Sequence, residues 1–452
     1  MKKFVLIPVL TLLVLWSCKL NEINDNPNIP GAVPLETLMP PVSTAMANAY
    51  AGRVYRYSNI FTNHMEGVSN QELQTDRYNV DEGFVGRIWS DLYGKAMINL
   101  RVIIEQSTTE QSPHYRGVAK ILMAHCLGTM TSMFGDVPYT EALNVNEFPN
   151  PAYDAQEEIY ATIQQLLQEG IEDIDAAESV RSPGSDDLLY FGDRAQWKKA
   201  AYVLRARYHM HLTKRNPGAA DAALSYLSMG FTNSGDDLKY KPLGISADMN
   251  GIYAFFADSP NMKIDPDFEE LVNELNDPRT GSLFSVIPFT GGQKKPGPYF
   301  SSQGSHVPFI SYVEQLFLLA ECHVRLGNTG QAQSFLQDAI RESCELIGQG
   351  SISQEDINAY VDVQGVLTGN LEGDLERVIT QKYIALFTQL EPWTDFRRTG
   401  YPELVPNDPG VSGINPNGEI PRRLIYPQDE RLFNSSVPMP IPNMQQRFWW
   451  DE

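Results

Sequence analysis

"VLRARYHMHLTKRNPGAADAALSYL", residues 203–227, can be laid over "LLAECHVRLGNTGQAQSFLQDAI", residues 318–340. Each opens with an apolar helical run holding an Ala-x-x-His step, Ala206 to His209 in the first and Ala320 to His323 in the second. Each then meets a Gly/Asn turn and restarts as an Ala-rich amphipathic stretch. Small residues let two helix backbones come close, and a short turn sends the second helix back along the first. "KILMAHCLGTM", residues 120–130, offers a third Ala-His echo. Stacked pairs of this kind bury one continuous core. The expected fold class is mainly α.

Working outward, the spacing paints further helices. Trp89, Leu92, Tyr93, Ala96, Met97, Leu100, Ile103 and Ile104 recur at three- and four-residue steps, and Val118, Ile121, Leu122, His125, Cys126 and Met130 do the same within Tyr115 to Met133. "PAYDAQEEIYATIQQLLQEGIEDIDAAE", from Pro151, starts a helix with Asp154 as its expected N-cap and acids in the first turn. Arg194 to Lys214 and Ala219 to Met229 follow, separated by Asn216-Pro217-Gly218. The paired segments resemble a degenerate tetratricopeptide repeat.

Between the helical blocks, residues 231–310 are a different material. "FTNSGDDLKYKPLGISADMNGIYAFFADSPN" and "SVIPFTGGQKKPGPYFSSQGSHVPF" are dense in Gly, Pro, Ser and aromatics, and no helix or long strand is expected in them. Long irregular segments in a compact domain tend to be functional. Their aromatics need something to pack on, which argues for order. The Pro-rich end, 401–452, closes on Phe448-Trp449-Trp450-Asp451-Glu452, large rings that predict a terminus tied into the body. A single domain from residue 35 is expected, with helical scaffold at about 35–230 and 311–400.

Met1-Lys2-Lys3 followed by a short apolar run to Trp16 reads as a secretory leader, too short to span a bilayer. Leu15-Trp16-Ser17-Cys18 resembles the lipobox of bacterial lipoproteins, which implies cleavage after residue 17 and acylation of Cys18. Residues 18–34 then form an Asn- and Pro-rich tether. Cys126, Cys322 and Cys344 lie in apolar helical patterns and read as buried reduced thiols, without metal-type spacing. The formal charge of -21 excludes nucleic acid as a partner, because phosphates demand clustered Lys and Arg.

Enzyme chemistry finds little support. No G-x-S-x-G elbow or H-E-x-x-H pair is present, and His209 and His211 sit two apart, off a shared helix face. Acidic pairs such as Glu157-Glu158 and Asp186-Asp187 abound, but none is singled out as the two carboxylates of a glycosidase. "NSGDD", 233–237, carries oxygen ligands without a full calcium set. No cofactor, metal or catalytic residue is assigned.

Several landmarks stand in a distinctive order. After the leader and tether come "MFGDVPYTEAL" (133–143), the Ala-His helix pairs and "NDPR" (276–279). "EPWTDFRRTGYP" (391–402), "IPRRLIYPQDERLFN" (420–434) and a terminal "FWWD" follow. This run resembles the SusD/RagB family of Bacteroidetes outer-membrane lipoproteins over essentially the whole chain. The resemblance implies a tetratricopeptide-like scaffold with a loop-rich ligand-binding half, held at the cell surface by lipid. It also implies a SusC-like TonB-dependent transporter as partner, to which oligosaccharides, or in some members peptides, are delivered unaltered. The family motifs read as structural. Asp136 is expected to cap backbone amides in the turn at Gly135 and Pro138, and Arg397 and Arg398 to pair with acids such as Asp395 or Glu391.

Sugars are gripped by aromatic faces, with amides, carboxylates and Arg reading the hydroxyls in a concave, sparingly polar site. The loops offer Tyr253, Phe255 and Phe256 in one run and Tyr299 in another, beside Asn250, Asp258, Gln303 and His306. "ELQTDRYNVDEGF" (72–84) adds Asp76, Arg77 and Tyr78. Tyr78, Arg77, Asp76, Tyr253, Phe255, Phe256 and Tyr299 are the candidate ligand contacts.

Overall fold

A computed structural model describes residues 33–144, 146–288, 290–407 and 411–452. Cys18 and the tether up to residue 32 lie outside the described residues. Helix α1 (Leu35–Ala49) buries Leu35, Leu38, Met39, Val42 and Met46, the three- and four-residue steps of one face. It passes through a π-helical turn, Tyr50–Val54, into α2 (Tyr55–Phe61). Strand β1 (Met65–Gly67) and α3 (Asn70–Asp76) follow. Helix α4 (Glu82–Asp91) is capped by the Asp81 carboxylate, which accepts from the amides of Gly83 and Phe84. It continues through a second π turn, Leu92–Met97, into α5 (Ile98–Thr109), so the stripe from Trp89 to Ile104 is one helical run with a π bulge.

Helices α6 (Pro113–Phe134), α7 (Gln156–Ile174), α8 (Arg194–His211) and α9 (Ala219–Leu227) build the first stack. The α6–α7 pair closes on two glycines. A Cβ on Gly117 would lie 2.7 Å from the carbonyl oxygen of Gly170, so no side chain fits at the crossing. Asp154 does not cap α7, contrary to the sequence expectation. Its carboxylate turns back to the amides of Tyr139 (2.7 Å) and Thr140 (3.0 Å), while Asp136 reaches across to accept from the amide of Gln156 at 2.8 Å. The turn at Gly135, where φ is +85°, brings Asp136 close enough to do this.

The middle of the chain departs from expectation. Strands β2 (Leu238–Tyr240), β3 (Met262–Ile264), β4 (Phe284–Val286), β5 (Lys294–Pro296) and β6 (Val307–Ile310) are short, as anticipated. Helix α10 (Gly251–Asp258) was not anticipated; α11 (Pro266–Glu274), α12 (Thr280–Leu283) and α13 (Pro298–Ser301) accompany it. Asn250 explains α10: its side-chain oxygen accepts from the amides of Ile252 (2.8 Å) and Tyr253 (3.1 Å), which starts a helix inside a Gly- and Pro-rich context. The strands pair antiparallel as β1 with β3, β2 with β6 and β4 with β5, and the first of these pairs laces the insert to the segment after α2.

The second stack holds α14 (Tyr312–Arg325), α15 (Thr329–Gly348), α16 (Gln354–Gln364) and α17 (Leu371–Ala385). The repeat seen in the sequence has a physical basis. His209 of α8 stacks on Tyr226 of α9, with centroids 5.5 Å apart and planes at 13°. His323 of α14 stacks on Phe335 of α15, also at 5.5 Å and at 4°. In both pairs the histidine meets a ring on the returning helix. The fold is mainly α, built on tetratricopeptide-like pairs around a continuous hydrophobic core.

Helix α18 (Glu391–Thr399) and the short α19 (Gln428–Phe433) punctuate the irregular end. Arg398 pairs with Asp395, as expected, and also with Glu321 of α14. Arg397 does not find an acid. It lies 3.9 Å from the Trp393 ring and donates to the carbonyls of Ser132 and Arg422. Glu391 turns instead to His211 and Arg207. Trp450 is fully buried and Asp451 is held by Arg422 and Lys214, so the terminus is tied down. Cys126, Cys322 and Cys344 are buried and unpaired. Among the described residues, no helix is long and apolar enough to cross a membrane.

Candidate functional site

An open groove of about 730 Å³ lies where the first π turn, α2, α3, the start of α4 and α10 converge. Glycine at 251 permits this meeting, since a Cβ there would lie 2.9 Å from the carbonyl oxygen of Ala51 in the π turn. Two rings and two guanidinium groups define the chemistry. Arg53 sits 5.3 Å from the Phe84 centroid and Arg56 sits 4.9 Å from that of Phe255. Phe84 is 37% exposed, a large fraction for a phenylalanine in an ordered turn.

Both arginines converge on the buried carboxylate of Glu72, at 3.6 Å from Arg53 and 3.4 Å from Arg56. Burial pulls the Arg56 guanidinium down to about 10 and lowers Arg53 as well, because desolvation penalises the charged form. Around this centre stand amides. Asn261 accepts from Ser69 Oγ (2.7 Å) and Asn70 Nδ2 (3.1 Å), while Asn79 donates to Gln74 at 3.2 Å. Gln71 and Asp258 complete the polar rim. The arrangement can hold a neutral, hydroxyl-rich ligand, with rings for CH faces and a mixed fence of donors and acceptors for hydroxyls. Among the described residues no group of His, Cys, Asp and Glu is arranged to hold a metal ion.

The candidate contacts distribute unevenly around the groove. Phe255 lines it. Asp76 is buried behind it, accepting from the amide of Gly67 and from Asn407 Nδ2, both at 3.0 Å, and burial pushes its carboxyl up to about 6. Tyr78 has no exposed surface; its ring meets Phe61 edge-on and its hydroxyl accepts from the amide of Asn407. Asp76 and Tyr78 thus hold Asn407 behind the site, the Tyr78 carbonyl also accepts from Ser412 Oγ at 3.0 Å, and neither Asp76 nor Tyr78 lines the groove. Arg77 is exposed beside them, outside the groove lining. Phe256 is buried against Phe255 and under Lys295, and Tyr253 is half-buried without lining the groove. Tyr299 belongs elsewhere, to a partly open pocket between scaffold and insert that also meets Asn250 and His306.

Sequence reasoning missed Arg53, Arg56, Asn70, Phe84 and Asn261. Phe84 stood in the quoted loop, and Arg53 and Arg56 are three apart, a spacing that places them on one helical face. Nothing local tells such a pair from a solvated surface.

Helix-pair scaffold and convergent aromatic groove define a class, the ligand-binding proteins built on tetratricopeptide-like pairs. Residues 27–427 match the SusD-like family described as starch-binding and associating with the outer membrane, and the chain belongs to it. Solved structures agree on the fold. A chitin-binding protein superposes with a TM-score of 0.78 at 24% identity, covering 93% of this chain and 100% of its own. A chitin-binding SusD homolog from Flavobacterium johnsoniae gives 0.76 at 23% identity, covering 93% and 97%. A SusD/RagB family protein from Bacteroides thetaiotaomicron gives 0.76 at 22% identity, covering 93% and 99%. No curated protein matches the chain in sequence.

Proposed function

We propose that this chain is a cell-surface binding protein that captures oligosaccharides without cleaving them and delivers them to a TonB-dependent outer-membrane transporter. One observation carries the reading: Phe84 and Phe255, each backed by an arginine, face an open groove fenced by amides. Two family relatives are described as chitin-binding and the family itself as starch-binding, which makes chito- and malto-oligosaccharides the first ligands to try. The outer-membrane association of the family supports anchoring through acylated Cys18, with the tether holding the body clear of the lipid.

Calorimetry with the two oligosaccharide series tests the reading. Saturable binding without product formation is expected, and Phe84→Ala with Phe255→Ala should weaken it at least about tenfold, the loss typical of an aromatic anchor. Undiminished binding by the double variant would move the site out of this groove. Appearance of shorter sugars would make the protein an enzyme.

A further inference from the structure

The pocket that Tyr299 lines measures about 590 Å³, within the range of small-molecule sites, and shares no residue with the groove. Scaffold and insert wall it together. Tyr50 and Tyr208 come from the helices, Tyr299 and Phe309 from the insert, and Thr388 and Gln389 from the turn between α17 and α18. The charges along the wall are matched. Arg207 donates to Glu314 through two nitrogens at 2.6 Å, Glu391 meets His211 at 2.9 Å, and Lys239 meets Asp237 at 3.2 Å. Glu345 accepts from Gln354 at 3.1 Å.

Several uncharged polar groups of the same wall are not matched. The hydroxyls of Tyr299 and Thr388 and the amide of Gln389 have no hydrogen-bond partner among the described residues, and none of these atoms is sealed from water. The side chains of His306 and Gln349 are equally free, and both residues are exposed. Thr388 stands out among them. Its φ of +75° is a left-handed conformation that β-branched residues rarely adopt. Helix α2 holds it there. Asn59 Oδ1 accepts from the Thr388 amide at 3.0 Å, and the Gln389 carbonyl accepts from Ser58 Oγ at 3.2 Å and Asn59 Nδ2 at 3.3 Å. Backbone strain fixed by its neighbours clusters at functional sites, where it sets groups in place before a ligand arrives.

We propose that this pocket is a second carbohydrate site, taking one or two pyranose units of a neutral sugar. The Tyr299 ring lies against a CH face, and the Tyr299 and Thr388 hydroxyls with the Gln389 and Gln349 amides read the sugar hydroxyls. Each of those groups both donates and accepts, as a sugar hydroxyl does. Burial pushes the Tyr299 phenol up, so it keeps its proton. A peptide end or an acidic sugar would bring a carboxylate, and no unmatched cation lines the pocket to meet it. Arg207 and Lys239 are paired, and burial with the nearby Lys239 and Lys241 lowers His306 toward the neutral imidazole. The pocket is more enclosed than the groove, which suits a short sugar here and a longer chain there. Its occupancy does not rest on the groove's.

Maltose and diacetylchitobiose are the probes, titrated by calorimetry into the full chain carrying Phe84→Ala with Phe255→Ala, which disables the groove. At least one of the two should still bind saturably, one to one. On that background Tyr299→Phe with Thr388→Val removes two hydroxyls but keeps the ring and the branching, and should weaken binding at least about tenfold, the loss of two hydrogen bonds. Gln349→Gly guards against a misfolded variant. Residue 349 has φ of +49°, where glycine sits without strain, so the unfolding midpoint should hold while binding weakens about threefold. No saturable binding once the groove is disabled, or binding unmoved by the pocket substitutions, overturns the proposal and leaves the groove reading standing. Saturable binding of alanyl-alanine in place of the sugars would overturn the ligand class.

Discussion

Replacing Arg398 by Met tests how the "EPWTDFRRTGYP" segment is fastened to the second helix stack. Both terminal nitrogens of Arg398 meet the Glu321 carboxylate at 2.5 Å, and Nη2 also reaches Asp395 at 2.6 Å. Lys382 closes the network on Asp395 at 2.9 Å. Side-chain exposures of 1%, 0%, 3% and 2% for Arg398, Glu321, Asp395 and Lys382 mean that water cannot replace a lost partner. Breaking a buried pair by removing one member costs about 3–5 kcal/mol. Arg325 stays 2.8 Å from Glu321 and Lys382 stays on Asp395, so the lower end, about 3 kcal/mol, is expected. Arg181→Met is the control: its pair with Glu36 is about half exposed on both sides, and its loss should cost under about 1 kcal/mol.

The pH dependence sharpens the test. Burial alone would push the Glu321 carboxyl up, but Arg398 and Arg325 outweigh it and hold the group well below the usual carboxylate range. A depressed folded value contributes stability above the unfolded pKa, near ~4.3, that is lost as pH falls through the folded value. Without Arg398 the folded value rises and that contribution disappears. The stability gap between wild type and variant, read from urea unfolding, should therefore be full from neutrality down to about pH 4 and narrow only as the pH falls further, toward the depressed folded value. A cost below about 1 kcal/mol at pH 7, or a gap that widens on acidification, would refute the reasoning.

Three further outcomes are expected. Burial pushes Asp76 up to about 6 and Asp265 up to about 7, so the folded state holds protons that the unfolded chain has released; stability should fall as pH rises from 5 to 8, and Asp76→Asn with Asp265→Asn should flatten that slope in urea titrations. A slope unchanged by the double substitution contradicts the assignment. Gly117→Val should destabilise by about 2–3 kcal/mol, as an overpacked crossing does, because the new side chain meets the α7 backbone at Gly170; a melting temperature equal to wild type would show that the helices can separate freely. Cys18→Ala should release the protein from the detergent phase on partitioning, and unchanged partitioning would exclude acylation there.

Much of the scaffold was legible because its information is periodic. Apolar residues at three- and four-residue steps specify a helix face wherever they occur, and the Ala-x-x-His repeat at 206–209 and 320–323 announced two similar pairs. Buried thiols and the docked terminus were likewise readable from residue type, and so was a cap role for Asp136, although the amide it caps, that of Gln156, lies 20 residues on and was not. Helix α10 was hidden because one Asn250 cap, rather than a long pattern, starts it.

The groove and the pocket were decided by tertiary structure alone. Phe84 meets Arg53 and both arginines meet Glu72 only where α3 and α4 pack beside the π turn and α2, and Phe255 meets Arg56 because α10 rests on that turn. The same folding carried Tyr78 into the core, where an identical tyrosine in a loop would have been free to touch a ligand. Residue type sets what a side chain can do; long-range packing sets whether water, a neighbour or a ligand is there for it to do it to.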